Sequence, residues 1–287
     1  MLPLMEIKSF ITGRRGVCLP FSDYCEPIIP GGVQFEEMLE FVTTYGRERG
    51  WKYIEIRGGQ AFLKGQTPSD CYFGHTLDLE KGPEAIFSGF RESNKRNIRK
   101  AEREGVEVAI LDSLDAVREF FRLNCITREH HGLPPQPFRL FRNIHEYVIS
   151  KGSGFVALAS YRGENIASAV FFHFGKKALY KYGASNLDYQ HLRANNLVMW
   201  EGIKWYSTHG YESLSFGRTE PQNDGLRQFK KGWGAGEYSI KYYRYDLPQG
   251  AFVENQSTLD GRYSKLIRTM PGPMLKAIGA LLYRHVG

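Results

Sequence analysis

Cysteine is scarce in this sequence. Cys18, Cys25, Cys71 and Cys125 are the four among 287 residues, and no two form a CxxC pair. That spacing argues against a zinc site. A chain of this length needs no disulfide for stability, so reduced thiols in a cytoplasmic protein are expected. Long apolar runs are also missing. No stretch approaches the roughly 20 residues that a membrane-crossing helix requires. Met1–Lys8 carries no apolar run of signal-peptide kind. No short-period repeat, low-complexity tract or heptad pattern is present, which removes solenoids and coiled coils. Acidic residues are absent from Gly261 to Gly287, where Arg262, Lys265, Arg268, Lys276 and Arg284 supply five of the surplus positive charges.

What is present reads as a globular protein. Hydrophobic residues make up 42% and charged residues 24%, enough for a sizeable core. The 17 Tyr, 19 Phe and 4 Trp are mostly core and strand filler. A net charge of +7 suits phosphate-bearing partners: a nucleotide- or lipid-linked precursor, tRNA, or an anionic membrane.

Apolar periodicity divides the chain into elements. Leu2–Phe10 and Gly16–Phe21 are short apolar segments, and 33–49 has one helical face. Trp51–Arg57 and Cys71–Leu79 read as strands. Gly82-Pro83 opens a helix running to Glu104, with Arg91, Lys95, Arg96, Arg99, Lys100 and Arg103 on its polar side. Those cations either form a solvated face or contact phosphate. Val106–Leu111 is a strand, and Ser113 is a fair N-cap for a helix to about His130. Gly132 and Pro134, Pro135 and Pro137 break the chain before a helix at 138–150. Strands at 154–161, 165–174 and 178–183 follow, then a helix at 192–209, a strand at 212–216, a loop and a strand at 238–245. A last helix is expected around 271–283. From 106 to 245 the order is therefore β-α-α-β-β-β-α-β-α-β.

The loop Phe216–Ala235 stands out. It is punctuated by Gly and Pro and carries Arg218, Arg227, Lys230 and Lys231. A basic loop after a strand and before a short helix is where α/β proteins commonly hold an anionic substrate.

Several motifs then coincide. Arg96-Asn97-Ile98-Arg99-Lys100-Ala101 with Gly105-Val106, Tyr182-Gly183-Ala184-Ser185, Asn196-Leu197 with Trp200-Glu201, Arg218 with Gly225-Leu226, and Phe229-Lys230 with Gly232-Trp233-Gly234 resemble the Fem-type aminoacyl transferases. The likeness is strongest to the branch associated with exosortase and exopolysaccharide systems. It covers about residues 1–246, and the element order is that of a GNAT acyltransferase.

This resemblance implies an α/β (α+β) protein of two GNAT-like domains side by side. The first would lack its opening βααβ. The expected boundaries are 1–81, 82–246 and a basic amphipathic tail at 247–287. It implies amide formation on an amine of a cell-envelope or exopolysaccharide precursor, with an aminoacyl-tRNA as donor. Lys230 and Arg218 would be catalytic, stabilising the oxyanion or phosphate. Phe229, Tyr182, Ser185, Asn196, Arg227, Trp233, Arg96, Arg99 and Lys100 would bind substrate.

An acyl-CoA-dependent N-acyltransferase and a non-catalytic GNAT pair binding RNA or a glycan precursor are the alternatives. Against coenzyme A, Asn196 and Val198 stand where the pyrophosphate turn has glycine. No resident cofactor or metal is expected: His130 and His131 are adjacent on a helix and point about 100° apart. Glu201 and Asp188 are carboxylates that nothing singles out as bases. Ser185 has no evident His/Asp partner. The tail, with Leu266, Ile267, Met270, Met274, Leu275, Ile278, Leu281 and Leu282 among its cations, either packs on the body or rests peripherally on a membrane.

Overall fold

The computed structural model describes residues 1–10, 12–29, 34–254 and 272–285. Arg262, Lys265, Leu266, Ile267, Arg268 and Met270 of the basic tail lie outside the described residues.

One mixed sheet runs through the molecule in the order β1-β2-β3-β10-β4-β9-β8-β7-β6-β5, with β11 paired to β10. Its strands are β1 (Leu4–Ser9), β2 (Gly13–Cys18), β3 (Tyr53–Arg57), β4 (Asp70–Asp78), β5 (Glu107–Leu111), β6 (Gly154–Tyr161), β7 (Glu164–Phe174), β8 (Lys177–Ser185), β9 (Ser213–Thr219), β10 (Gly236–Asp246) and β11 (Ala251–Val253). The helices are α1 (Phe35–Glu48), α2 (Pro83–Ser88), α3 (Glu92–Arg103), α4 (Leu114–His130), α5 (Phe138–Tyr147), α6 (Ala194–Thr208), α7 (Asp224–Lys231) and α8 (Gly272–Leu282). Among the described residues no helix is long and apolar enough to cross a membrane.

Two GNAT-like halves share this sheet. Each contains a hairpin, then a helix crossover to a parallel strand: β1-β2-α1-β3 and β7-β8-α6-β9. β4 lies between β9 and β10, although residues 70–78 fall on the near side of the boundary expected at 81/82. The sheet runs across that line. β10 ties the halves together, pairing β4 with its first residues and β3 with its last.

The second half is covered on both faces. The main core gathers Leu197, Ile203 and Tyr206 of α6 with Ile98 of α3, Phe171 of β7 and Trp233. Phe120 and Phe141 of α4 and α5 build a second core on the other face. Near-continuous burial along β6 and β7 follows from this two-sided cover. Among its described residues the first half has one helix, α1, over Ile54, Ile56 and Tyr243.

Local chemistry explains the boundaries. The Ser113 hydroxyl accepts from the Ala116 N–H at 3.2 Å and starts α4. The helix expected from Gly82 to Glu104 is two. The chain turns at Gly89-Phe90-Arg91, and the Arg91 N–H donates to the Gly232 carbonyl instead of to its own helix. β9 extends past Phe216 to Thr219, so Arg218 belongs to a strand and not to the loop.

The feature that makes a site is a fork. β8 and β9 are parallel and paired only at Lys177–Ser213, Ala178–Leu214 and Leu179–Ser215. Beyond these, β8 stays with β7 and β9 with β4, so the two strands diverge.

Candidate active site

Two cavities flank the end of β8. One, of about 440 Å³, is lined by Thr127, His130, Ser185, Asn195, Val198 and Phe229 among others. A smaller annex beside it is lined by Tyr189, Arg193, Asn195 and Asn196, and again by Phe229. The other cavity, of about 470 Å³, is lined by Asp23, Arg128, Lys181, Arg218, Glu220, Lys230 and Tyr283. Tyr180 borders both large cavities. Gly183 is needed here because a Cβ at that position would collide with the Tyr180 hydroxyl.

Helix α7 delivers two adjacent residues to these spaces. Asn223 starts it, its side chain accepting from the Leu226 N–H at 3.1 Å. Phe229 then faces the first cavity and Lys230 the second. Lys230 is only 3% exposed. Its ammonium donates to the carbonyls of Gly217, at 3.0 Å, and Arg218, at 2.8 Å. An ammonium has three donors, so one is left for a ligand. Burial pushes Lys230 down to about 8, opposed by the charges of Asp23 and Glu220.

Asp23 comes from the loop after β2 and sits against Gly217. That glycine has φ +68°, and a Cβ there would strike the Asp23 carboxylate. The Lys181 Nζ lies 3.7 Å from the Asp23 Oδ2 and donates to the Phe21 carbonyl at 2.6 Å. Burial lowers the Lys181 pKa from its ordinary value. Arg218 lies over Tyr72, 4.2 Å from its ring centre, and donates to the Tyr242 hydroxyl at 3.0 Å. Tyr242 in turn donates to the Asp23 carbonyl at 2.7 Å. Glu220, at 3.9 Å, is a loose partner that leaves the guanidinium edge at the cavity.

The sequence-predicted residues therefore separate. Lys230, Arg218 and Tyr182 meet in one cavity, and Phe229, Ser185 and Asn196 in the space across β8. The Tyr182 ring packs on Phe141, and burial raises its phenol pKa. The Ser185 hydroxyl accepts from the Asn195 side chain at 3.0 Å.

The remaining five lie outside the linings of these cavities. Trp233 has no exposed surface and packs edge-on to Phe90 and Phe229, so it is core. Arg227 is committed to Glu237 through two hydrogen bonds of 3.0 and 2.9 Å and stacks 3.7 Å from the Phe73 ring centre. That fork holds the Glu237 carboxyl down to about 2. It locks α7 to β10 and leaves little for a ligand. Arg96, Arg99 and Lys100 ride on α3 and line none of these cavities; Arg99 lies over Phe87 instead.

Asp23, Lys181, Tyr180 and Tyr242 escaped the sequence reading. Gly217, expected in the loop, lies within β9 and leaves the space that the Asp23 carboxylate fills, and nothing beside Asp23 in the sequence marks that pairing. Among the described residues no three His, Cys, Asp or Glu side chains gather as metal ligands. At the start of α6, Arg193 has φ +62°, and Asn195 and Asn196 line the space where a phosphate-binding turn would be bare backbone.

Comparison with known proteins bears on the fold that carries this geometry. Residues 88–231 match the acetyltransferase (GNAT) domain family. The UDP-N-acetylmuramoylpentapeptide-lysine N(6)-alanyltransferase of Weissella viridescens is 26% identical over 158 residues, 54% of this chain and 46% of that protein. The lipid II:glycine glycyltransferase of Staphylococcus saprophyticus is 32% identical over 105 residues, 32% of this chain and 25% of that protein. The chain thus spans under half the length of the curated relatives it matches. The crystal structure of FemX has the same fold, with a TM-score of 0.65 at 16% identity, over 86% of this chain and 84% of that one. The GNAT match takes in half of the sequence and both strands of the fork, and the named relatives are Fem-type transferases: the chain belongs to the acetyltransferase (GNAT) domain family, in its Fem-like part.

Proposed function

We propose that this protein transfers an aminoacyl group from an ester donor to an amine on a cell-envelope precursor and forms an amide. One observation carries the reading: two cavities lie on either side of one shared residue, Tyr180, and are lined by sequence neighbours, Phe229 and Lys230. A two-substrate transfer needs two approaches converging on one point. The cavity at the start of α6 takes the donor, an aminoacyl-tRNA 3′-end, with the acyl group beside Phe229. The cavity with Arg128, Lys181, Arg218 and Lys230 takes the acceptor, whose anionic part meets these cations and whose amine meets Asp23 or Glu220. The muramoyl-pentapeptide and lipid II acceptors in the relatives' names are of this chemistry, anionic with a free amine. An exopolysaccharide precursor is a further member of the class.

The neutral amine attacks the acyl carbon. The carbonyl oxygen takes up negative charge and, in this reading, turns toward the cavity of Lys230, where the third N–H and the Arg218 edge receive it. The ester C–O bond then breaks, the ribose oxygen leaves with a proton, and the amine nitrogen loses one. Asn195 and Asn196 crowd the turn that would hold a coenzyme A pyrophosphate, which favours the ester donor over acyl-CoA.

The test is single-turnover transfer with aminoacyl-tRNA and with acetyl-CoA in parallel. Lys230→Met should lose about 10²–10³-fold in kcat with its fold intact. Transfer from acetyl-CoA alone, or full activity in Lys230→Met, would overturn the reading.

A further inference from the structure

Helix α8 is apolar nearly all round, yet only one side of it is covered. Its eleven residues carry a single charge, Lys276. Leu275, 1% exposed, and Gly279 face the body; Gly279 sits on the Pro135 carbonyl in the turn between α4 and α5. Met274 and Leu281 point away, 54% and 60% exposed, and Leu282 is 39% exposed. A helix of this composition ordinarily has its whole circumference buried. The chain that follows turns into the body and is held by aromatic contacts. The Tyr283 ring stacks on Phe21 at 4.9 Å, and His285 meets Phe10 edge-on at 4.6 Å. Phe21 and Phe10 are themselves 37% and 79% exposed.

We propose that this face seats on an anionic lipid surface. Charge decides the occupant: residues 261–287 hold five cations and no acid. A few inserted apolar side chains bind a bilayer weakly, and basic residues in the same stretch of chain, of which Lys276 lies on α8 itself, supply the second signal that stable attachment needs. The seat is coupled to chemistry, since Tyr283 directly follows α8 and lines the cavity of Lys230 and Arg218. Resting on the transfer reading, the seat sets the cavity of Lys230 and Arg218 against the membrane plane, with Tyr283 between the two.

The experiment is co-sedimentation of the full chain with phosphatidylcholine vesicles, with and without phosphatidylglycerol. Binding should require phosphatidylglycerol and weaken as salt is raised. Lys276→Glu should reduce it about fivefold or more, by the loss of a cation near the surface. The double variant Met274→Glu/Leu281→Glu, at exposed positions, should melt like wild type, leave the vesicles, and still aminoacylate a water-soluble acceptor amine. Binding unchanged in the double variant, binding equal on both vesicle types, or a dimer in solution that the double variant splits would each overturn the proposal. Wild type that binds vesicles but transfers to no acceptor would refute the transfer reading and leave the membrane seat standing.

Discussion

The molecule contains the same unit twice, and the two copies put it to different use. In each, two parallel strands joined by a helix separate after a short paired stretch. β2 and β3 pair only at Gly16–Ile54 and Val17–Glu55, β8 and β9 only at three positions. The first fork is plugged. The loop at 19–29 folds back into it, with the Cys25 N–H donating to the Arg57 carbonyl at 2.7 Å and the Arg57 guanidinium donating to the Ser22 carbonyl at 2.8 Å. The second fork is left open and holds Tyr180, Phe229 and Lys230 at its rim. The plug is not idle, because its tip carries Asp23 across to the open fork. A diverging strand pair thus provides unpaired backbone and space. Whether it becomes scaffold or site depends on what the following chain places in the gap.

The crossover helices should show the largest contrast. Ile203 on α6 is fully buried in the main core, whereas Phe41 on α1 is 72% exposed. Ile203→Ala should cost about 2–5 kcal/mol, by lost burial plus the cavity left behind. Phe41→Ala should change stability by less than about 0.5 kcal/mol. Denaturant titration of both variants measures the difference; similar costs would mean that a partner or another part of the chain covers α1 in solution.

Much of this contrast was legible in the sequence, because it rests on local pattern. Apolar pattern located α1 and α6, the Ser113 cap located α4, and Gly and Pro punctuation located the turns. The tail helix expected at 271–283 is α8. Four things were not legible. The insertion of β4 between β9 and β10 depends on pairing between strands far apart in the chain, which periodicity within a strand does not encode. The break between α2 and α3 depends on Arg91 finding a partner in Gly232. The roles on and just after α7 depend on which way a short helix is turned: Lys230 faces a cavity, while Arg227 on the helix faces Glu237 and Trp233, two residues past its end, enters the core. Asp23 is reached only through the plug, so no local motif announces it.

Lys230 sharpens the comparison through pH. In the folded protein it holds its proton only up to about 8, against an ordinary lysine value of 10.5. Between those values the unfolded chain carries a proton that the folded chain does not. Wild-type stability should therefore rise with pH across that window, by about 3 kcal/mol relative to Lys230→Met, which has no such proton. Below about pH 8 both states are protonated, and the gap between the two proteins should be flat. Denaturant titrations of the pair at both ends of the window decide it. In wild type, transfer should also fall as pH passes about 8, and Lys230→Arg should lack that limb.

Arg57 gives the smallest effect and the most direct test of the plug. Its side chain is nearly buried, donating to Glu55 at 2.9 Å as well as to Ser22, and it lies 5.5 Å from the Tyr242 ring centre. Glu55 keeps a second, looser partner in Arg244 at 3.8 Å, so Arg57→Met does not leave it bare. The expected cost is about 2 kcal/mol, the range for a lost hydrogen bond to a charged group. The kinetic signature separates a positioning role from a general loss of stability. If the plug sets Asp23 beside Gly217 and Lys181, loosening it should raise KM for the acceptor several-fold, while kcat and the donor KM hold. A fall in kcat with both KM values unchanged would mean that the open fork works independently of the plugged one.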